Sequence, residues 1–164
     1  MQISNIRMFS PNIICNCVNK YDDHGFSGEL YHSYSKEPCK YKDLSRMLIM
    51  MEEFYDQIKF PMASTECRSF SKMKASPNRK EMMKLANDDS LLKKRGEKGT
   101  FIIQVQYRQN STWQGKIVWV EENKTQYFRS ALELIKIMDS ALNPGETEET
   151  EVTSEKEDKR YATS

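Results

Sequence analysis

The chain of 164 residues is short of several things, and each shortage removes a class of function. No apolar run approaches the roughly 18–20 residues needed to span a bilayer, so a membrane helix is not expected. The opening stretch, MQISNIRMFSPNIICNCV, lacks the charged start, apolar core and small-residue cleavage site of a secretion signal. A cytoplasmic location is the expectation. Only two histidines, His24 and His32, and four cysteines, Cys15, Cys17, Cys39 and Cys67, are present. There is no Cys-x₂-Cys spacing, no His-Glu-x-x-His, no Ser/His/Asp order and no phosphate-cradling glycine loop.

These absences leave little chemistry. Zinc takes four converging thiolate or imidazole ligands, and Cys15-x-Cys17 with His24, His32 and Cys39 does not present that spacing. The cysteines are expected to be reduced and packed as small hydrophobes. His32 is expected in the core or at its rim. No metal, cofactor or catalytic residue is assigned, and the chain is not expected to be an enzyme.

What is present is an uneven distribution of charge. Charged residues make up 30%, hydrophobic ones 38%, and mean hydropathy is −0.77. The formal net charge of +1 hides two blocks. Lys72 to Lys98 holds nine Lys/Arg against four Asp/Glu, a net of +5, and Ala141 to Ser164 holds seven acids against three bases, a net of −4. Residues 71–99 therefore read as a basic, flexible linker and residues 143–164 as an acidic, disordered tail.

Periodicity organises the rest. FIIQVQY alternates Phe101, Ile103, Val105 and Tyr107 against Ile102, Gln104 and Gln106, the period of a strand. After RQNST, WQGKIVWV alternates again, so the two runs read as a hairpin. From Ala131 the apolar residues fall at Leu132, Ile135, Met138 and Leu142, the stripe of an amphipathic helix. Ser130 followed by Glu133 fits a capping box at its start.

The first half follows a similar plan. Phe26, Gly28, Leu30 and His32 each lie 87 residues before Trp113, Gly115, Ile117 and Trp119. Asp43 stands at the same distance before Ser130 as an N-cap. The leading strand is expected one residue further out of step, pairing Cys15 with Ile103 and Cys17 with Val105, with the extra residue in the loop NKYDDHG. The expectation is an α+β protein: a tandem ββα repeat, units 1–70 and 100–142, forming a four-stranded, mostly antiparallel sheet with two helices on one face.

Two local resemblances bear on function. Asn110, Thr112 and Gly115 resemble half of the signature of PilZ domains that bind cyclic di-GMP, but the upstream Arg-x-x-x-Arg half is absent. TFIIQVQYRQNSTWQGKIVWVEENKTQYFRSALELIKIMDSAL resembles a group of small uncharacterised proteins of clostridial Firmicutes, more clearly at Thr100–Leu142 than at Ile13–Phe60. That resemblance implies a bacterial, cytoplasmic, non-catalytic protein and gives no residue a role.

The leading expectation is a small non-catalytic protein-interaction or regulatory module, with another protein as its partner. The candidate binding residues are Tyr31, Lys116, Val118 and Val120 on the sheet face away from the helices, with Gln109 and Asn110 in the hairpin turn. The alternative is nucleic-acid binding through the basic segment, at Lys72, Lys74, Arg79, Lys80, Lys93, Lys94 and Arg95.

Overall fold

A computed structural model describes residues 10–65, 68–70, 88–143 and 145. The elements run β1 (Ile13–Asp22), β2 (Gly25–Tyr31), β3 (Cys39–Tyr41), α1 (Leu44–Ile58), α2 (Asp88–Leu92), β4 (Gly99–Tyr107), β5 (Gln114–Trp119), β6 (Lys124–Phe128) and α3 (Ala131–Leu142). The class is α+β, but the sheet has six strands, not four. Its order is β3-β2-β1-β4-β5-β6, antiparallel throughout. The expected tandem ββα units are overturned, because CKY and KTQYF each form an additional edge strand. Both are short, and in β6 only Phe128 is buried, so neither carries a readable apolar alternation.

The expected one-residue slip is also overturned. Cys15 pairs with Tyr31 and Ile102 with Val118; Val18 pairs with Gly28 and Val105 with Gly115. Each partner in the second half lies 87 residues after its counterpart, through both hairpins and on to Tyr41 and Phe128. Cys15 and Cys17 therefore occupy the side of Ile102 and Gln104, not that of Ile103 and Val105. Alternation fixes register only where one face is wet. Here Thr100 to Val105 and Ile13 to Val18 are buried without interruption, so both faces of the two central strands are inside.

The two faces have different covers. Helices α1 and α3 lie on one, where Met47, Met51, Phe54, Tyr55, Leu134 and Met138 pack on Ile14, Val18, Ile103, Val105 and Ile117. On the other, Leu91 of α2 joins Ile13, Cys15, Cys17, Ile102, Val118 and Val120. Val118 and Val120 are thus buried, not solvent-facing as expected from an uncovered sheet. The segment before β4 folds back over them, anchored where Lys98 N–H donates to Val18 C=O at 2.9 Å.

Local signals hold at the helix starts. Asp43 accepts from Arg46 N–H at 2.8 Å and Ser130 from Glu133 N–H at 3.1 Å. The Glu133 carboxylate reaches Arg129 N–H at 3.2 Å, so the reciprocal bond of the box falls one residue before the cap. One polar side chain lies in the middle of the helix-covered face. Asn16 is fully buried, accepts from Tyr41 Oη at 2.7 Å and turns its amide toward the sulfur of Met47 at 3.1 Å.

Gly28 and Gly115 mark where each hairpin bulges, next to the register shifts after Val18 and Val105. A Cβ on Gly28 would press on the Cys17 carbonyl and one on Gly115 on the Gln104 carbonyl, both well inside 3.0 Å. The glycines are needed chiefly by the strand backbone alongside. Gly28→Ala or Gly115→Ala is expected to cost on the order of 3 kcal/mol by urea denaturation, because a rigid carbonyl must move.

His32 is buried, stacks on Phe54 with ring centroids 4.2 Å apart, and accepts from Tyr34 N–H at Nδ1 (3.2 Å). Burial holds its imidazole down to about 4. The unfolded chain takes up this proton near 6.5, so unfolding is favoured as pH falls from about 6.5 to about 4 and the effect then levels. Over that window the loss is about 3 kcal/mol, and His32→Phe should flatten the slope between pH 6.5 and 5.

Candidate functional site

Helix α1 presents Leu48, Ile49 and Glu52 on one side, and Asp56 one turn beyond Glu52. The facing wall comes from the β4–β5 turn. There Asn110 (φ 54°) and Ser111 (φ 57°) are both left-handed, and Thr112 N–H donates to Gln109 C=O at 3.1 Å. Such a two-residue turn matches the twist of a hairpin, and asparagine tolerates its geometry. The third wall is the stretch that follows α1. Ala63 bridges in parallel to Arg108, and Ser64 N–H donates to Arg108 C=O at 3.3 Å. Asn110 N–H donates to Ser64 Oγ at 3.0 Å, and the Thr65 and Ser111 hydroxyls lie 2.7 Å apart.

These three walls enclose a cleft of about 280 Å³, lined by Leu48, Ile49, Ala63 and Trp113 with Thr65, Ser111, Thr112, Glu52 and Arg108. Arg108 is the keystone of its floor. Its side chain is 4% exposed; Nε donates to Pro61 C=O at 2.7 Å, and Nη1 donates to Glu52 Oε1 at 3.0 Å and Asp56 Oδ1 at 2.8 Å. The guanidinium also lies 5.7 Å from the Tyr55 ring centroid, which the Trp113 ring meets edge-on at 5.8 Å. Trp113 Nε1 donates to the second Glu52 oxygen at 2.7 Å. One carboxylate thus binds both the buried cation and the indole, and α1 is tied to β4 through it.

The sequence-derived candidates are scattered relative to this cleft. Gln109 and Asn110 are exposed in its turn, and the neighbouring Ser111 and Thr112 form its rim. Tyr31, Lys116, Val118 and Val120 belong to other parts of the sheet. Tyr31 donates to Glu29 at 2.7 Å and lies beneath the Lys94 ammonium, 4.8 Å from its ring centroid. Lys116 lies 5.6 Å from the Tyr127 ring centroid. Lys93 and Arg95 are both exposed, and Arg95 donates to the carbonyls of Leu92 and Lys94. Lys72, Lys74, Arg79, Lys80 and residues 146–164 of the acidic tail lie outside the described residues.

Glu52, Asp56, Arg108 and the Leu48–Ile49 wall were not singled out from sequence. Glu52 and Asp56 at i,i+4 beside Leu48 mark a helix stripe that is acidic at one end. Arg108 directly follows the strand, and the register shift between Val105 and Tyr107 is what changes its direction.

The thiols form a separate feature. Cys15 and Cys17 face the same side of β1 with their sulfurs 3.8 Å apart. The bond to Cys17 and burial push the Cys15 thiol well up, while the same bond holds the Cys17 thiol below its ordinary value. Among the described residues no group of three or more His, Cys, Asp or Glu is placed to hold a metal ion. A broader basin lies between the β1–β2 turn and α3, lined by Asp22, Asp23, Phe26, Leu44, Lys136 and Asp139. Among the described residues no helix is long and apolar enough to cross a membrane. No family model, curated protein or solved structure matches this chain.

Arg108→Leu is expected to destabilise by about 2 kcal/mol in urea titrations. That is less than the roughly 3–5 kcal/mol of a fully buried pair, because Glu52 and Asp56 are 30% and 45% exposed and water can replace the guanidinium. Arg108→Lys should recover part of the loss while leaving the fork of bonds incomplete.

Proposed function

We propose that the chain is a small non-catalytic interaction module, acting in the bacterial cytoplasm, which holds a partner protein at the cleft beside Trp113. The observation that carries this reading is an apolar wall set against a polar rim on a rigid support. Ile49 is 50% exposed at the mouth, Leu48 and Trp113 continue the surface inward, and Thr65, Ser111 and Thr112 offer hydrogen bonds around it. Buried aromatic anchors ringed by polar groups are typical of places where partners bind. The support is rigid because Arg108 and Glu52 join α1, β4 and the 61–65 stretch in a single network. Strand addition at the sheet edges has less in its favour, since β3 and β6 are short and each carries an exposed lysine, Lys40 and Lys124.

Nucleic-acid binding ranks second. Its support within the described residues is the exposed Lys93 and Arg95 beside the Lys94 ammonium over Tyr31, where the cation and the ring satisfy each other.

A photo-crosslinking side chain at Ile49 should capture a partner in cells of the source bacterium, whereas one at Lys124, on the β6 edge strand, should not. Thr65→Arg, which fills the mouth, should lower the affinity of the purified partner at least about tenfold, or roughly 1.4 kcal/mol. Equal capture at both positions, or indifference to Thr65→Arg, would sink the cleft reading.

A further inference from the structure

We infer that Cys15 and Cys17 form a site for one soft, thiophilic metal ion that is satisfied by two sulfurs, such as copper(I) or mercury(II). The pair lies on the side of the sheet away from α1 and α3, so it is independent of the cleft beside Trp113. The spacing of the two sulfurs carries the inference. The ladder of β1 with β4 is unbroken from Ile13 to Val18, and side chains two residues apart on one face of such a strand stand about 6.5 Å from each other. A disulfide needs its Cβ atoms about 3.5–4.5 Å apart, so the strand does not let these thiols join directly. Their sulfurs nonetheless converge to 3.8 Å. Two metal–sulfur bonds of about 2.3 Å reach across as much as about 4.6 Å, so one ion fits where a direct bond does not. Packing alone does not ask for sulfur here. The places 87 residues on are taken by Ile102 and Gln104, both buried.

The surroundings decide which ion. Across the ladders Cys15 lies between Tyr31 and Ile102, and Cys17 between Glu29 and Thr100. Tyr31 Oη donates to the Glu29 carboxylate at 2.7 Å, which engages these two with each other. Thr100 Oγ1 accepts from Gly96 N–H at 2.9 Å. Among the described residues no third His, Cys, Asp or Glu joins the pair. Structural zinc asks for four donors and iron–sulfur clusters for four ligands, and two sulfurs do not supply them. Copper(I) and mercury(II) prefer thiolate and accept two in line. Loading moves no electrons: each thiol gives its proton to water and two metal–sulfur bonds form. Copper(I) leaves the site with one negative charge and mercury(II) with none. Leu91 packs in the cluster that holds both sulfurs, and the helix that carries it is five residues long, so entry needs only a local opening of α2.

The test uses the full, reduced chain with Cys39→Ser and Cys67→Ser, so that the remaining thiols are the two of β1. Copper(I) is titrated anaerobically against a copper(I) chelator, and mercury(II) and zinc(II) are titrated separately. One copper(I) or one mercury(II) per chain is expected, with the ultraviolet absorption of metal-bound thiolate, and no zinc. Cys15→Val and Cys17→Val, each checked for folding by its urea midpoint, should weaken copper(I) binding by more than about a hundredfold, since a lost ligand costs more than a lost outer contact. Leu91→Ala leaves both sulfurs in place; it should keep the stoichiometry and load several-fold faster.

Undiminished copper(I) binding in the folded valine variants overturns the site, as does failure of both soft ions to bind. Zinc held as tightly as copper(I) overturns the two-donor argument. A Cys15–Cys17 disulfide formed readily with a mild oxidant, read as a loss of two mass units, overturns the geometric one. An unchanged loading rate in Leu91→Ala overturns entry beneath α2.

Discussion

The antiparallel pairing of β1 with β4, from Ile13 opposite Gln104 to Val18 opposite Gly99, is the contact on which the molecule depends. Without it there are two three-stranded pieces, each with a helix on one side and an apolar surface open on the other. With it the apolar surfaces become a continuous interior, and both central strands are buried on both sides. That is why the short helix α2, with few residues of its own, is needed: it covers the second side through Leu91. The cleft exists for the same reason. Its position is set by the far end of β4, where the strand leaves the interior and delivers Arg108 to the underside of α1.

Arg108 shows how stability and the shape of the cleft share one set of bonds here. A buried guanidinium needs several acceptors, and it finds them in Pro61 C=O, Glu52 and Asp56. Meeting that need draws the stretch after α1 against the β4–β5 turn, and the wall so made is the wall of the cleft. The polar rim is built in the same way. Ser64 and Thr65 use their hydroxyls to hold Asn110 and Ser111. A turn that in isolation would be a mobile hairpin tip is thereby tied on two sides.

Much of this was legible from the residues. The hairpins follow from alternation, the two long helices from their 3.6-residue stripes, although in α3 Leu134 is buried and Leu132 exposed, and their first turns from Asp43 and Ser130. The matched glycines were readable too, although their reason lies in the carbonyls of Cys17 and Gln104. The failures have identifiable causes. β3 and β6 are short edges that bury little, so the sheet was read two strands too narrow. The slip of one residue was inferred from a rule that assumes one wet face, and neither central strand has one. Val118 and Val120 were placed in water because nothing in their own strand announces the chain that returns to cover them. The cleft was missed because it joins residues from three separate stretches, none of which carries a recognisable motif alone.

The buried amide of Asn16 has a consequence for assembly. In the half of the sheet that holds it, Asn16 is bonded to Tyr41; 87 residues later the same two places are taken by Ile103 and Phe128. Both members of the pair change character together, so each half is internally satisfied, but they are not interchangeable. A chain that exchanged its strands with those of a neighbouring molecule, or closed the sheet with the wrong half in the wrong place, would set an amide against phenylalanine and a phenol against isoleucine. Each stranded group would cost about 1–3 kcal/mol. A single asparagine–tyrosine pair therefore makes the two ends of the sheet chemically distinct.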